Sequence, residues 1–540
     1  MARRRVGRTM RSQSVLPLRA GHRLPNSLSC WFCDFRIYAF NDRLFSFGWR
    51  HARFLKVWFA IGVAFSFVAL IGSIMILLWE LAGNFHLGRE ISVHDHRSVN
   101  WLFGTTSLVP GLSLSVMDTV IIVFSTLFSV AIHELGHAIA AASTGLQIEY
   151  IAVFLAIIFP GALVAFNYDL LQSLPRFSML RIYCAGIWLN AVCCAVCGLL
   201  MFCLPLLLSP LYIHDEGPMV LEVPPVSPLS KYLTRGDVIL SVDGANISNS
   251  YEWMKNMQEV DSRKRNDPYS AQNSHSQAVN HGKGYCVPNS LLEGSMTLLA
   301  DDQFSCPDEL AAFTSLSCYN SSSLIENRNG GSENNNGGSE NNGMETKHCL
   351  IAKDVIKLRK CGDGWLMTGK NNCACSEEES CMKPVLIPSM SWVEVSYSSP
   401  YTPQCSKPNE RWQLQSYESG LMSCGGTFVF LGDILTMAHS LQLSSYRPRL
   451  PFMIFSAYIP VLFEKILACT FHVSATLGFL NSLPVFFLDG ESILETGLCY
   501  ITWLNTKCRR RVLQFCLVGG TLLSTIVFLW TFYCVLVIHN

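Results

Sequence analysis

The sequence predicts an α-helical polytopic membrane protein with a large lumenal insert of mixed α+β character. Three observations predict it. Half of the 540 residues are apolar and only 15% are charged, against roughly 25% charged in an ordinary soluble domain. Four or five apolar stretches are long enough for a bilayer core of ~30 Å, which takes about 20 residues of helix. Ten of the 22 cysteines fall between Cys286 and Cys424, outside those stretches. Together these exclude a simple cytosolic enzyme and a disordered chain. Formal charge is balanced, 40 basic residues against 40 acidic, so nothing global points to nucleic acid as a partner.

Residues 1–56 form a basic N-terminal region with twelve Arg/Lys and two acids, Asp34 and Asp42. Charge of this kind stays in the cytosol. Seven Arg within the first 23 residues, with several Ser and no acid, also suit an organelle transit peptide. A disulfide-rich lumenal part suits a secretory-pathway membrane better. No cleavable signal peptide is visible, so the first span serves as anchor. The first membrane part, 57–209, contains the spans Val57–Leu81, Met117–Ala142 and Met179–Leu208. Ile148–Pro160 is apolar but too short to span, and reads as a re-entrant or hairpin segment buried by protein. The second membrane part, 451–540, contains Glu464–Leu488, the most polar span, and Val512–Ile538. Five crossings place Arg176, Arg181, Lys507, Arg509, Arg510 and Arg511 on the cytosolic side and residues 210–450 on the other.

The insert has two parts. In residues 210–260, Val220-Leu-Glu-Val and Val238-Ile-Leu-Ser-Val read as strands and Asp243-Gly244 as a turn. Residues 261–450 are cysteine-rich: Cys286, Cys306, Cys318, Cys349, Cys361, Cys373, Cys375, Cys381, Cys405 and Cys424. Their even number suits disulfides. A zinc knuckle would want two clean C-x2-C pairs, which are missing. Within this part, 320–343 repeats Gly-Gly-Ser-Glu-Asn-Asn and reads as a disordered linker. The sequons Asn246-Ile-Ser and Asn320-Ser-Ser also fit a lumenal location.

His133-Glu-Leu-Gly-His137 lies near the end of the second span. Positions i and i+4 of a helix share one face, so both imidazoles can reach one Zn2+ at ~2.0–2.1 Å. Zinc lowers the pKa of bound water to ~7, and Glu134, bordering that face, is placed to take its proton. Ionisable groups in a membrane helix are functional by default. One position remains for a third protein ligand. Asp489, in Asn481-Ser-Leu-Pro-Val-Phe-Phe-Leu-Asp-Gly490, closes the fourth span on the side where the second span ends.

These residues resemble the site-2 protease family of intramembrane zinc metalloproteases, especially its eukaryotic branch. The resemblance rests on His133-Glu-Leu-Gly-His137 together with Asn-x-x-Pro-x4-Asp-Gly at 481–490. It extends to Phe159-Pro-Gly-Ala162, Leu180-Arg-Ile-Tyr-Cys-Ala-Gly-Ile-Trp-Leu-Asn190 and Phe45-Ser-Phe-Gly-Trp-Arg-His-Ala-Arg53. It covers roughly 30–260 and 455–540. It implies a site-2 protease-like helical core, zinc on His133, His137 and Asp489, and Glu134 as general base and proton shuttle. It implies Asn190 and Asn481 near the site, as donors to a substrate carbonyl or oxyanion or as interhelical hydrogen bonds. Segment 148–166 matches the family's membrane-embedded hairpin, whose edge can pair with an extended substrate. Residues 210–260 resemble a PDZ module, chiefly in Leu233-Thr-Arg-Gly-Asp-Val-Ile-Leu-Ser-Val-Asp-Gly244. Without a clear glycine-rich carboxylate loop, a steric gate is the preferred role over peptide capture. The implied partners are the lipid bilayer and membrane-tethered proteins, among them transcription factors first cut in the lumen. The implied location is Golgi before endoplasmic reticulum. Competing readings are a prenyl-protein protease, which would take a Glu as third ligand; a non-catalytic scaffold or receptor, which would have lost a ligand or Glu134; and a metal transporter, which would show paired carboxylates along several spans.

Overall fold

The computed structural model describes residues 28–29, 32–38, 40–86, 116–156, 159–225, 227–266, 283–293, 296–298, 306, 310–316, 347–362, 365, 375–385, 391–402, 405 and 424–538. The linker 320–343, the sequon at Asn320, the first 27 residues, Cys318 and Cys373 lie outside them. The chain divides into two compact units. One comprises residues 1–203 and 464–540, the other 204–463.

The first unit is helical. Its long helices are α1 (Ala52–His86), α2 (Val116–Thr144), α3 (Arg176–Leu208), α4 (Tyr458–Ser482) and α6 (Thr506–Ile538), with the short α5 (Asp489–Leu498) between the last two. All five long helices are apolar and long enough to cross a membrane. The fourth differs from the sequence reading. It begins and ends six residues earlier than expected, at Tyr458 and Ser482, so Asp489 does not close it. Pro484 explains the end: a proline disfavours helix in the residue before it and cannot donate the next helical bond. The chain turns through Phe487, with φ of +72°, and Asp489 opens α5. Glu491 stabilises that turn by accepting the Phe487 N–H at 2.8 Å.

Helices α2 and α4 run parallel and are joined by polar rungs. Lys465 pairs with Asp118 at 3.0 Å, Thr470 bonds Ser125 at 3.2 Å and Ser474 bonds Ser129 at 2.8 Å. The four hydroxyl residues are buried. In an apolar medium such small hydroxyls let backbones approach and bond across helices. They hold in register the helix carrying His133 and the helix leading to Asp489.

Between α2 and α3 the chain makes an antiparallel hairpin, β3 (Ile148–Ala156) and β4 (Phe159–Phe166). Two strands from the basic N-terminal region, β1 (Leu28–Ser29) and β2 (Phe32–Ile37), extend its sheet in the order β1-β2-β3-β4. The helix Asn41–Arg50 follows them. It is tied to the hairpin by Asn41, which donates to the Glu149 carbonyl at 2.8 Å. Gly48 brings this helix onto α2, where a Cβ would come within 2.5 Å of that of Ala142.

The second unit is built on two six-stranded sheets. One contains β5 (Tyr212–Glu222), β6 (Val238–Val242), β13 (Ser391–Ser398), β14 (Gly425–Gly432) and β15 (Gln442–Pro448), in the order β14-β13-β6-β5-β15. The short strand Ala245–Asn246 pairs with β6 across Asp243-Gly244. Both turn residues have positive φ, +49° and +81°, as a two-residue hairpin of this hand requires. Segment 210–260 is therefore no closed module: it shares sheet and core with strands from 391–448. A pair of strands alone is marginal in water, and the missing partners lie far down the chain.

The other sheet holds β7 (Gly284–Pro288), β8 (Met296–Leu298), β9 (Leu310–Ser315), β10 (Lys347–Ile351), β11 (Lys360–Cys361) and β12 (Glu379–Pro384), ordered β11-β7-β12-β9-β10-β8. Disulfides Cys286–Cys375, Cys306–Cys349, Cys361–Cys381 and Cys405–Cys424 staple this unit. Cys286, Cys361 and Cys375 lie close enough to suggest a metal cluster, but each sulfur is committed to a disulfide.

Candidate metal centre

Helix α2 turns His133 and His137 to one side, and both are buried. Close packing by α3 makes room for them. A Cβ at Gly136 would stand 2.6 Å from the Ala185 carbonyl oxygen, and one at Gly186 would meet both imidazole rings at 2.5 Å. The sequence reading did not single out Gly186. The signal available was the small-residue pair Ala185-Gly186 in the third span.

Asp489 arrives from the start of α5. Its Oδ2 lies 3.1 Å from His133 Nε2 and 3.2 Å from His137 Nε2, and the two Nε2 atoms are 3.2 Å apart. Three ligand atoms around a tetrahedral ion at ~2.0–2.1 Å would stand roughly 3.3 Å apart. The triangle therefore fits one divalent ion. Its chemistry fits as well. Asp489 Oδ2 is buried without a hydrogen-bond partner, and three lone-pair donors at this spacing need a cation or a proton between them.

Contacts behind the ligands support that fit. His137 Nδ1 lies 2.7 Å from the Ile182 carbonyl. As donor to that oxygen it leaves Nε2 unprotonated for a metal. His133 Nδ1 lies 3.1 Å from Asn190 Nδ2, while Asn190 Oδ1 is buried without a partner. Exchanging the amide O and N, which such networks often require, lets Oδ1 accept from His133 Nδ1–H. His133 Nδ1–H then has its acceptor. Asn190 is thus a partner of the His133 ring and is fully buried. Asn481, on the last turn of α4, donates its amide to the Leu477 carbonyl of its own helix at 3.0 Å.

Glu134 lies about 100° round the helix from His133, on the side of the hairpin. Its Oε2 accepts the backbone N–H of Val164 in β4 at 3.0 Å. A carboxylate thus stands beside the ligand triangle, half-buried and held by one main-chain donor.

Asn190→Ala is expected to weaken metal binding by about 10–100-fold, as loss of an outer-shell partner does, while the purified chain stays folded. Competition with a graded series of chelators measures it. Wild-type affinity in this variant would remove Asn190 from the support of the site.

Residues 120–526 match the model of peptidase family M50. The chain belongs to that family. It is 42% identical over 519 residues to an Arabidopsis thaliana protein described as a membrane-bound transcription factor site-2 protease homolog, covering 95% of this chain and 94% of that one. The M50 assignment makes the chain a multi-pass intramembrane metalloprotease and implies a metal, for which the triangle on α2 and α5 is the candidate site. The prenyl-protein protease and transporter readings fall with that assignment. The scaffold reading falls too, since His133, Glu134, His137 and Asp489 are all present.

Proposed function

We propose that His133, His137 and Asp489 hold one zinc ion, and that the enzyme hydrolyses a peptide bond within the membrane helix of tethered proteins. Membrane-bound transcription factors already trimmed in the lumen are the substrates we favour. The observation that carries this reading is the meeting of three ligand atoms within 3.2 Å beside the carboxylate of Glu134. Bound there, zinc would supply Lewis acidity and a water acidic enough to react near neutral pH.

The chain's own residues do the rest. A helical substrate hides its peptide bonds in its own hydrogen bonds and must unwind. Pairing with the outer edge of β4 returns part of what unwinding loses. Glu134 takes a proton from water and passes it to the leaving amine. Asn190 holds the His133 ring in the tautomer that leaves Nε2 free. The second unit restricts access to substrates with little left on its side of the membrane. Its disulfides favour an oxidising lumen, and the basic N-terminus favours a cytosolic start. We therefore place the enzyme in a secretory-pathway membrane, Golgi before endoplasmic reticulum.

Purified enzyme in detergent, given a membrane-helix substrate, is expected to lose cleavage on treatment with 1,10-phenanthroline. Stoichiometric zinc should recover it. Cleavage that persists after the metal has been removed would sink the reading.

A further inference from the structure

The carboxylate assigned as base is held by the strand assigned to dock the substrate. Strand β4 ends its sheet. It pairs with β3 without irregularity from Phe159↔Ala156 to Val164↔Ile151, and no strand covers its other edge among the described residues. Along an antiparallel strand, alternate residues aim their N–H and C=O at opposite edges. Val164 donates to Glu134 Oε2 at 3.0 Å, so Val164 faces the open edge, and with it Ala162 and Pro160. Proline fits that parity independently: it has no N–H, which a strand tolerates where no ladder bond is lost. An extended peptide adding to β4 would thus offer carbonyls to the N–H groups of Ala162 and Val164. The second is already taken. Glu134 stands where a substrate carbonyl belongs and caps an otherwise open strand edge.

We propose that the Val164–Glu134 hydrogen bond is a latch. It holds the base idle in the free enzyme. A substrate strand pairing with β4 takes over the Val164 N–H, and the same event frees the carboxylate. Unwinding of the substrate and readiness of the base are then one step, and a helix that stays wound leaves the base latched. This rests on the reading above that Glu134 is the base and that β4 docks the substrate.

The test uses the full zinc-loaded chain and two variants. Val164→Pro removes the latch N–H where the sheet loses no ladder bond. Ala162→Pro removes the neighbouring open-edge N–H, which Glu134 does not touch. The probe is acetohydroxamate, which binds a metal and needs a nearby carboxylate as acceptor but is too small to pair along β4. Val164→Pro should bind it about tenfold or more tightly by calorimetry, because a hydrogen bond to a charged group no longer has to be broken. Ala162→Pro should bind it as wild type does. Both should raise KM for a membrane-helix substrate by similar factors, each having lost one strand bond. Equal acetohydroxamate affinity in all three proteins, or an equal change in both variants, would overturn the latch. Wild-type protein that binds neither zinc nor acetohydroxamate would overturn the metalloprotease reading beneath it. If Val164→Pro fails to retain zinc, the α-hydroxy acid analogue of valine at position 164 removes the same N–H without the ring.

Discussion

Glu134→Gln is expected to keep one zinc per chain and to lower turnover of a membrane-helix substrate by at least about a hundredfold, and up to about ten-thousandfold. In free energy that is about 2.7–5.5 kcal/mol of lost transition-state stabilisation. The substitution suits the question because it changes so little else. The glutamine amide has the shape of the carboxylate, and its oxygen can still accept the Val164 N–H that Glu134 accepts at 3.0 Å. His133 and His137 lie on a neighbouring face of α2 and contact Asp489, Asn190 and the Ile182 carbonyl rather than Glu134. The ability to take and return a proton is removed, together with the negative charge. Elemental analysis of the purified protein reports the metal, and the rate of fragment release in proteoliposomes reports the chemistry. Turnover within tenfold of wild type, with zinc retained, would mean that the proton moves by another route.

The parts of this site legible in the sequence are those set by a short repeat. His133 and His137 share a face because a helix turns once in 3.6 residues, and that holds whatever surrounds them. The apolar run 148–160 was legible as a re-entrant or hairpin segment because a run too short to span needs another way to satisfy its backbone, and the hairpin's extent to 166 came from the family resemblance. What stayed hidden depends on which surface meets which. Gly186 matters because α3 crosses α2 at the imidazoles. Asn190 reads equally well as an oxyanion donor until His133 is seen 3.1 Å away. The rungs Ser125–Thr470 and Ser129–Ser474 join residues 345 positions apart. In the second unit the number of cysteines pointed to disulfides, but no spacing singled out Cys286–Cys375 from the many possible pairs. Segment 210–260 shows its strands by alternation, yet its sheet is completed by residues beyond 390, a pairing no local pattern encodes.

Asp489→Ala should release the metal and abolish cleavage together. Asp489 reaches the imidazoles only because the chain breaks at Pro484 and restarts as α5. That restart brings Gly490 against the end of α4, where a Cβ would fall on the Leu483 carbonyl. Asp489 is therefore fixed by the backbone contact of its neighbour Gly490 and is not a side chain free to be replaced by another. Loss of its oxygen leaves two imidazoles and water. The fall in affinity should exceed the ~10–100-fold cost of losing an outer-shell partner, enough for zinc to leave during dialysis against a moderate chelator. Asp489→Asn separates charge from shape: the amide oxygen occupies the same place but no longer balances the ion, so zinc should be held weakly and turnover should recover only at high zinc concentration. Gly490→Ala keeps all three ligands and displaces one of them, and its zinc affinity should fall between wild type and Asp489→Ala. Zinc measured after dialysis ranks the four proteins. Full zinc occupancy in Asp489→Ala would mean that the third ligand lies elsewhere and that the 3.1 Å and 3.2 Å approaches to the two histidines have another cause.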